Sequence, residues 1–273
     1  MMDMSMRGIR KNFQYLLFGF VLGSLIGCSG QPDYATSIGG QGIIGGEFVE
    51  PTDQVSHHTT MLVNLEKNEI CSGVLVSSKV VLTAAHCLPS EKENIKAYFS
   101  NSPLNEDASV EFREVSSIVQ HPQYSADEEL ESVDLAVLVL ATDVPAGYLP
   151  VSIDDYDELK IGTEVILAGY GNSTATSAEG FGELRKVATS ISKVTGPLFF
   201  EIDQANGRGI CDGDSGGPVF RVNTDKLTLV GITKLAYDKN GTGYASCLTM
   251  SQYTSLQDPA IKRWIMELIR KHR

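Results

Sequence analysis

Five stretches of the chain are rich in β-branched and aliphatic residues, and turn-forming residues separate them at short intervals. They are TMLVNL (60–65), SGVLVSSKVVLTAA (72–85), VDLAVLVL (133–140), TEVILAGYG (163–171) and LTLVGITKL (227–235). No helical pattern lies between them, and many short strands in series are typical of a β-barrel or a β-sandwich. The hydrophobic pattern therefore predicts an all-β fold for most of the chain.

The last segment, residues 258–273, follows a different pattern, because its apolar residues recur at spacings of three and four. These residues are Ile261, Trp264, Ile265, Leu268 and Ile269. They form one stripe of an amphipathic helix, with Asp258 as its N-cap and Pro259 in its first turn. We expect this helix to pack on the β structure; attachment to a membrane surface is the alternative.

The first 27 residues have the pattern of an export signal, in which a basic start precedes the apolar run FQYLLFGFVLGSLIG (13–27). This run is short for a membrane span. It ends at Gly27-Cys28, which resembles the lipoprotein signals of bacteria, where the cysteine is acylated. We therefore predict export from a bacterial cell and membrane attachment only through a lipid on Cys28. An ordinary signal peptide with an unrelated cysteine is the alternative.

Residues 28–42 are polar, contain glycine and show no periodicity, which predicts a flexible tether or propeptide. The net charge of −12 argues against a nucleic-acid partner, because phosphate binding needs a basic surface. Five cysteines are present: Cys28, Cys71, Cys87, Cys211 and Cys247. Lipidation of Cys28 would leave four for two disulfides, and spacing alone allows three pairings.

Three short motifs contain residues that could act together in catalysis. LTAAHC (82–87) contains His86, VDLAVLVL begins with Val133 and Asp134, and GDSGGP (213–218) contains Ser215. Together they offer a base, an orienting carboxylate and a nucleophile. A serine hydroxyl needs such a base, because it is a poor nucleophile near neutral pH.

These motifs, with IIGG (43–46) and HPQY (121–124), resemble those of chymotrypsin/trypsin-type serine proteases. The resemblance covers residues 43–273. It implies two six-stranded antiparallel Greek-key β-barrels with a C-terminal α-helix. It also implies a monomeric serine endopeptidase that hydrolyses proteins or peptides through an acyl-enzyme intermediate, without a cofactor.

The resemblance assigns a role to each motif residue. Ser215 would attack the peptide carbonyl, His86 would transfer the proton to the leaving amine, and Asp134 would orient the imidazole. The backbone N–H groups of Gly213 and Ser215 would form the oxyanion hole. A catalytically silent binding protein with the same fold is the alternative function.

The resemblance also implies a zymogen. Cleavage before Ile43 would free an ammonium group that pairs with Asp214. Gly42 precedes Ile43, so the activating protease should not have trypsin specificity. The similar stretch IGG (38–40) is a second candidate start.

Two disulfides follow from the resemblance: Cys71–Cys87 around the histidine loop and Cys211–Cys247 between the serine loop and the substrate pocket. Neither would connect the lipid-bearing segment to the domain. Cleavage should therefore release the catalytic domain from its anchor.

The resemblance places Gly209 at the floor of the substrate pocket, Asp212 near its mouth, and Ala236 and Ser251 in its walls. This predicts a small or medium apolar residue before the scissile bond and disfavours Arg or Lys.

The resemblance also assigns Lys234 to the substrate pocket, where it stands in place of a serine that supports the catalytic aspartate in relatives. Thr233 is the alternative for that supporting role.

No metal site is predicted. His57 and His58 are expected in an exposed loop without further ligands. The acidic stretches 105–107 and 126–132 could bind calcium, but neither has a recognisable ligand register.

Overall fold

A computed structural model describes residues 43–104, 110–128, 130–153, 158–174, 177–223, 226–238, 247 and 249–272. The predictions for the signal peptide, the tether, Cys28 and Gly42 lie outside the described residues. Fourteen strands are described: β1 (Glu47–Phe48), β2 (Thr59–Asn64), β3 (Glu69–Leu75), β4 (Val80–Thr83), β5 (Ile95–Tyr98), β6 (Phe112–Gln120), β7 (Ala136–Leu140), β8 (Glu164–Gly169), β9 (Arg185–Ser190), β10 (Lys193–Thr195), β11 (Phe199–Asp203), β12 (Pro218–Asn223), β13 (Lys226–Tyr237) and β14 (Met250–Ser255). The described helices are α1 (Gln54–His58) and α2 (Pro259–Lys271), with 3₁₀ turns at Ala85–Cys87 and Lys92–Asn94.

The first half of the fold is a closed antiparallel barrel with the strand order β2-β3-β4-β7-β6-β5. Its fourth strand, β5, returns to lie beside its first, β2, as in a Greek key. Every residue of β4 and β7 is buried, because both strands contribute apolar side chains to the two faces of the barrel wall.

The second half is a series of eight paired strands in the order β1-β9-β8-β12-β13-β14-β11-β10. Strands β9 and β10 are separated only by Ile191 and Ser192. Ile191 N donates to Thr163 O at 3.0 Å, and Ser192 N donates to Glu201 O at 2.9 Å. Strands β9 and β10 therefore act as one bent strand, which pairs with β8 through β9 and with β11 through β10. Counted in this way, the second half is also a six-stranded ring, to which β1 adds a short edge.

The C-terminal helix packs in a hydrophobic cluster that contains residues of both halves of the fold. Asp258 Oδ1 accepts hydrogen bonds from Ala260 N at 2.8 Å and Ile261 N at 3.0 Å. Ile261, Ile265 and Ile269 are buried in this cluster, together with residues of β3, β4 and β7 from the first half and of β12 and β13 from the second. The predicted two-barrel fold with a C-terminal helix is confirmed. No described helix has the length and apolar character needed to cross a bilayer.

Two local predictions differ from the structure. The stretch 72–85 is divided between β3 and β4 by a turn in which Val76 N and Ser77 N donate to Val80 O. His57 and His58 end helix α1 instead of lying in a loop, because Asp53 caps this short helix by accepting from Val55 N at 2.9 Å.

Candidate active site

A cleft between the two barrels contains the candidate catalytic residues. His86 and Asp134 come from the first barrel, and Gly213 and Ser215 come from the second. All four line the cleft, so the fold brings together motifs that are far apart in the sequence.

His86 and Asp134 meet because they lie at neighbouring strand ends. His86 lies in the 3₁₀ turn after β4, Asp134 precedes β7, and these strands pair at Thr83 and Ala136. His86 Nδ1 lies 2.6 Å from Asp134 Oδ2, and His86 N donates to Asp134 Oδ1 at 3.0 Å. Asp134 is buried, whereas the His86 side chain is 40% exposed. The carboxylate therefore fixes the ring and favours a proton on Nδ1, which leaves Nε2 free to accept one.

Ser215 is attached to both barrels through the backbone of its loop. Ser72 N, in β3, donates to Ser215 O at 2.8 Å, and Gly216 N donates to Thr233 O in β13 at 2.8 Å. In the described part of the chain, no hydrogen bond joins Ser215 Oγ to His86 Nε2. Such bonds are often long without substrate, so this separation is compatible with catalysis.

The turn at Gly213 shapes a possible anion site beside Ser215. Gly213 has φ of +95°, and a Cβ there would lie 2.8 Å from Gly171 Cα. A side chain at this position would therefore strain the turn. Within the described ranges, the N–H groups of Gly213 and Ser215 donate to no backbone carbonyl. Both remain available to a ligand oxygen.

Asp214 is fully buried beneath the serine loop. Its Oδ1 accepts from Gly171 N and its Oδ2 from Cys211 N, both at 2.8 Å. Burial raises the pKa of this carboxyl to about 7, although the two N–H donors oppose the shift and the charge of Asp212 adds to it. No ion pair of Asp214 occurs among the residues that the structure describes.

The chain around Ile43 lies against the start of the serine loop. The Ile43 side chain is completely buried in the core of the second barrel. Ile44 forms a bridge with Gly209 and packs against Cys211 and Cys247. Ile43 has φ of 55°, in the left-handed region, which is unusual for a β-branched residue.

Both implied disulfides, Cys71–Cys87 and Cys211–Cys247, are present. The first brackets His86, and the second joins two segments that line the cleft. The structure thereby selects one of the three pairings that spacing alone allowed.

The expected pocket residues separate into two groups. Asp212, Lys234 and Ala236 line the cleft, and Asp212 is exposed. Gly209 and Ser251 are buried and are not among the described lining residues.

Physical reasons for the two buried positions are visible in their contacts. The side chain of Gln204 packs against Gly209. The Ser251 hydroxyl lies 2.8 Å from the Tyr253 hydroxyl, in the barrel interior.

Lys234 lies at a β-bulge, where the register between β13 and β14 shifts from Thr233 to Leu235. Its side chain is fully buried, Nζ donates to Gln252 Oε1 at 2.7 Å, and Nζ lies 4.5 Å from the centre of the Phe199 ring. Thr233 Oγ1 is buried and has no hydrogen-bond partner in the described part of the chain. Thr233 therefore provides no hydroxyl bond to Asp134.

Two residues of the site environment were missed from the sequence. Ser72 Oγ donates to Gly213 O and accepts from Tyr170 N, both at 3.0 Å, and so links the barrels. The Gln204 amide is completely buried behind the cleft. Neither lies in a recognisable motif, because their roles depend on partners that are distant in sequence.

Potential metal ligands in the described chain cluster in two places: Cys71, His86 and Cys87, and Cys211, Asp212 and Cys247. Each cluster contains both sulfurs of a disulfide, so neither offers a thiolate. His58 Nδ1 lies 2.7 Å from Leu149 O, and burial lowers the pKa of this histidine. His121 packs edge-on against Trp264 of α2 at 4.9 Å.

Comparison with known proteins gives a family match and several relatives. The family model described as "Trypsin" matches residues 43–259. Trypsin 5G1 of Aedes aegypti is 27% identical over 241 residues, which cover 83% of this chain and 84% of that protein. A trypsin of Simulium vittatum is 30% identical over 74% of this chain and 86% of its own length. Kallikrein 1-related peptidase b11 of Mus musculus is 28% identical over 65% of this chain and 74% of its own length.

Proposed function

The chain belongs to the trypsin family of serine proteases, and on this basis we propose that it is an endopeptidase with Ser215, His86 and Asp134 as its catalytic residues. The observation that carries the proposal is the bond of 2.6 Å between His86 Nδ1 and Asp134 Oδ2 in the cleft that Ser215 lines. A histidine held in this way has its other nitrogen free to serve as a base.

In the proposed reaction, Ser215 Oγ attacks the peptide carbonyl while His86 Nε2 takes the hydroxyl proton. The carbonyl oxygen becomes negative and receives hydrogen bonds from the N–H groups of Gly213 and Ser215. His86 then gives the proton to the leaving amine, which departs and leaves an acyl-enzyme. Water deprotonated by His86 hydrolyses this ester and regenerates the Ser215 hydroxyl. Asp134 stabilises the imidazolium at both stages.

The chain is proposed to be made as a zymogen that becomes active on cleavage before Ile43. The support is the buried Asp214 carboxyl, which has backbone N–H donors but no ion pair in the described residues. A buried carboxylate is costly without a cation, and a new ammonium at Ile43 would supply one. The residues after Ile43 already lie against Cys211, at the start of the same loop.

The proposal extends to the cellular setting. The zymogen is anchored at the bacterial cell envelope through Cys28, and cleavage after Gly42 by a protease without trypsin specificity releases the domain. Its partners are protein or peptide substrates, and the reaction uses no cofactor. The start of the chain carries this part of the proposal through its signal pattern.

A catalytically silent binding protein is the second candidate. The observation that favours it is the bulky, buried Lys234 at the position where the motif comparison expects a serine. Such a protein would keep the cleft but would not form an acyl-enzyme.

Labelling with a fluorophosphonate, followed by mass spectrometry, distinguishes the two candidates. We expect the chain cut before Ile43 to gain one adduct at Ser215 and to hydrolyse casein, whereas a cut Ser215→Ala variant should do neither. A cut wild-type chain that takes up no label and cleaves no protein would support the silent candidate.

A further inference from the structure

Gln204 follows strand β11 and is a completely buried amide beside the cleft. Its Nε2 donates to Ile210 O at 3.1 Å and to Cys247 O at 3.0 Å. Its Oε1 accepts from Ile210 N at 2.6 Å. Both amide hydrogens and the carbonyl oxygen are therefore used by backbone groups.

The partners of Gln204 belong to two walls of the cleft. Ile210 lines the cleft just before the serine loop, and Cys247 lines it from the segment after β13. One side chain thus connects the two walls at their buried end, where Ile210 is only 2% exposed. The Cys211–Cys247 disulfide joins the same walls covalently.

The Gln204 amide also occupies the space beside Gly209. A Cβ on Gly209 would lie 2.0 Å from Gln204 Oε1 and 2.1 Å from Gln204 Cδ. The backbone of Gly209 is fixed, because its N–H donates to Ile44 O at 3.1 Å. A side chain at position 209 and the present position of the Gln204 amide therefore exclude each other.

We propose that Gln204 is a specificity-determining residue that closes the floor of the cleft beside Ser215. The proposal rests on the protease function proposed above and names its substrate class: peptides with a small, uncharged residue immediately before the scissile bond. The Gln204 amide fills the deepest part of the cleft, which a long substrate side chain would need to occupy.

Gln204 and Ile210 carry no charge that could pair with an ionised substrate side chain. Gln204 is neutral, and its polar atoms already have partners, so the floor offers no carboxylate to an arginine or lysine. Asp212, exposed where it lines the cleft, repels an acidic residue. Ile210 and Ala236 add apolar surface, which suits alanine or valine.

The test compares Gln204→Ala with wild type, both cut before Ile43, on peptides that differ only in the residue before the scissile bond. Wild type should prefer alanine and valine over leucine and phenylalanine. Gln204→Ala should raise kcat/KM for leucine and phenylalanine relative to alanine by at least about tenfold, because one or more methylene groups gain space.

Two further variants separate volume from stability. Gln204→Met fills a similar volume without the hydrogen bonds, so it should lower Tm but keep the wild-type order of substrates. Asn101→Ala removes another buried amide, which bonds Val49 O and Ser56 Oγ. It should also lower Tm without changing the order.

Each result bears on the proposal. An unchanged substrate order in Gln204→Ala, with Ser215 still labelled by fluorophosphonate, would overturn the role of Gln204 and leave the protease function intact. If Gln204→Ala does not fold, Gln204→Met is the variant that tests the proposal. A higher kcat/KM of Gln204→Met for the phenylalanine peptide, relative to alanine, would also overturn the role of Gln204. Wild type that neither cleaves nor takes up label would instead refute the protease function.

Discussion

The two barrels contribute differently prepared halves of the candidate site. On the first barrel, Asp134 receives two hydrogen bonds from His86, and this pair depends on the local pairing of β4 with β7. On the second barrel, the Ser215 loop covers the buried Asp214, whose pKa is raised to about 7. We infer that the first half is complete in the uncut chain and that the second depends on a new charge partner.

The largest expected effect is on kcat and comes from removing the catalytic side chain that either barrel contributes to the candidate site. His86→Ala on the first barrel and Ser215→Ala on the second should each lower kcat on the order of 10⁶-fold in the cut enzyme. The double variant should be no worse, because the residues act as one unit. Additive losses measured with a peptide substrate would show that the two barrels act separately.

The next effect is a pH dependence that belongs to the second barrel. The folded-state pKa of Asp214 is about 7, above its ordinary value of 3.8. Its contribution to stability is therefore fully present below about pH 4 and is lost as pH rises through about 7, at about 1.4 kcal/mol per pKa unit.

Urea unfolding of the uncut chain in a Ser215→Ala background, at several pH values, tests this sign. Adding Asp214→Asn should flatten the fall in stability between about pH 4 and pH 7. An Asp134→Asn variant is the matched control on the first barrel. If Asp214→Asn leaves the slope unchanged, Asp214 does not carry the proton that we assign to it.

The two disulfides should differ in what they affect. Replacing either pair by serine should lower the free energy of unfolding by about 2–4 kcal/mol. Loss of Cys211–Cys247 should also broaden the substrate preference, because both cysteines line the cleft with Ile210. If the variants that lack Cys71–Cys87 and Cys211–Cys247 have the same substrate preference, the second disulfide has no special role in shaping the cleft.

The smallest expected effect concerns the contact between the barrels. Ser72→Ala leaves Gly213 O and Tyr170 N without their shared hydroxyl, which should cost about 1–3 kcal/mol and lower kcat moderately. Ser116→Ala removes a hydroxyl that bonds Val139 O within the first barrel, and kcat should not change. A similar kcat for both variants would contradict the linking role of Ser72.

The elements that the sequence predicted well are those with long apolar runs. Strands β7 and β8 fall within predicted stretches, β2 and β13 overlap predicted stretches, and α2 has its expected cap and stripe. Strand β14, MSQYTS, was missed because its sequence is polar although every residue is buried. Its polar groups find partners inside the fold, such as Ser251 with Tyr253 and Gln252 with Lys234.

The residues of the candidate site also divide into those that a local motif reveals and those that only distant contacts reveal. His86, Asp134 and Ser215 lie in short motifs, so the sequence was sufficient to nominate them. Gln204 could not be nominated, because its role arises from Cys247, 43 positions away, and from the space that Gly209 leaves open. Pocket geometry depends on such distant contacts, which no local pattern records.

The central claim is that Ser215 becomes an active nucleophile when the chain starts at Ile43. The most direct measurement is N-terminal sequencing of the protein that carries the fluorophosphonate label, after treatment of the full chain with a thermolysin-like protease. The account predicts labelled protein that begins Ile43-Ile44-Gly45-Gly46, with Ser215 unlabelled in the uncut chain. Labelled protein that begins elsewhere, or equal labelling before cleavage, would contradict it.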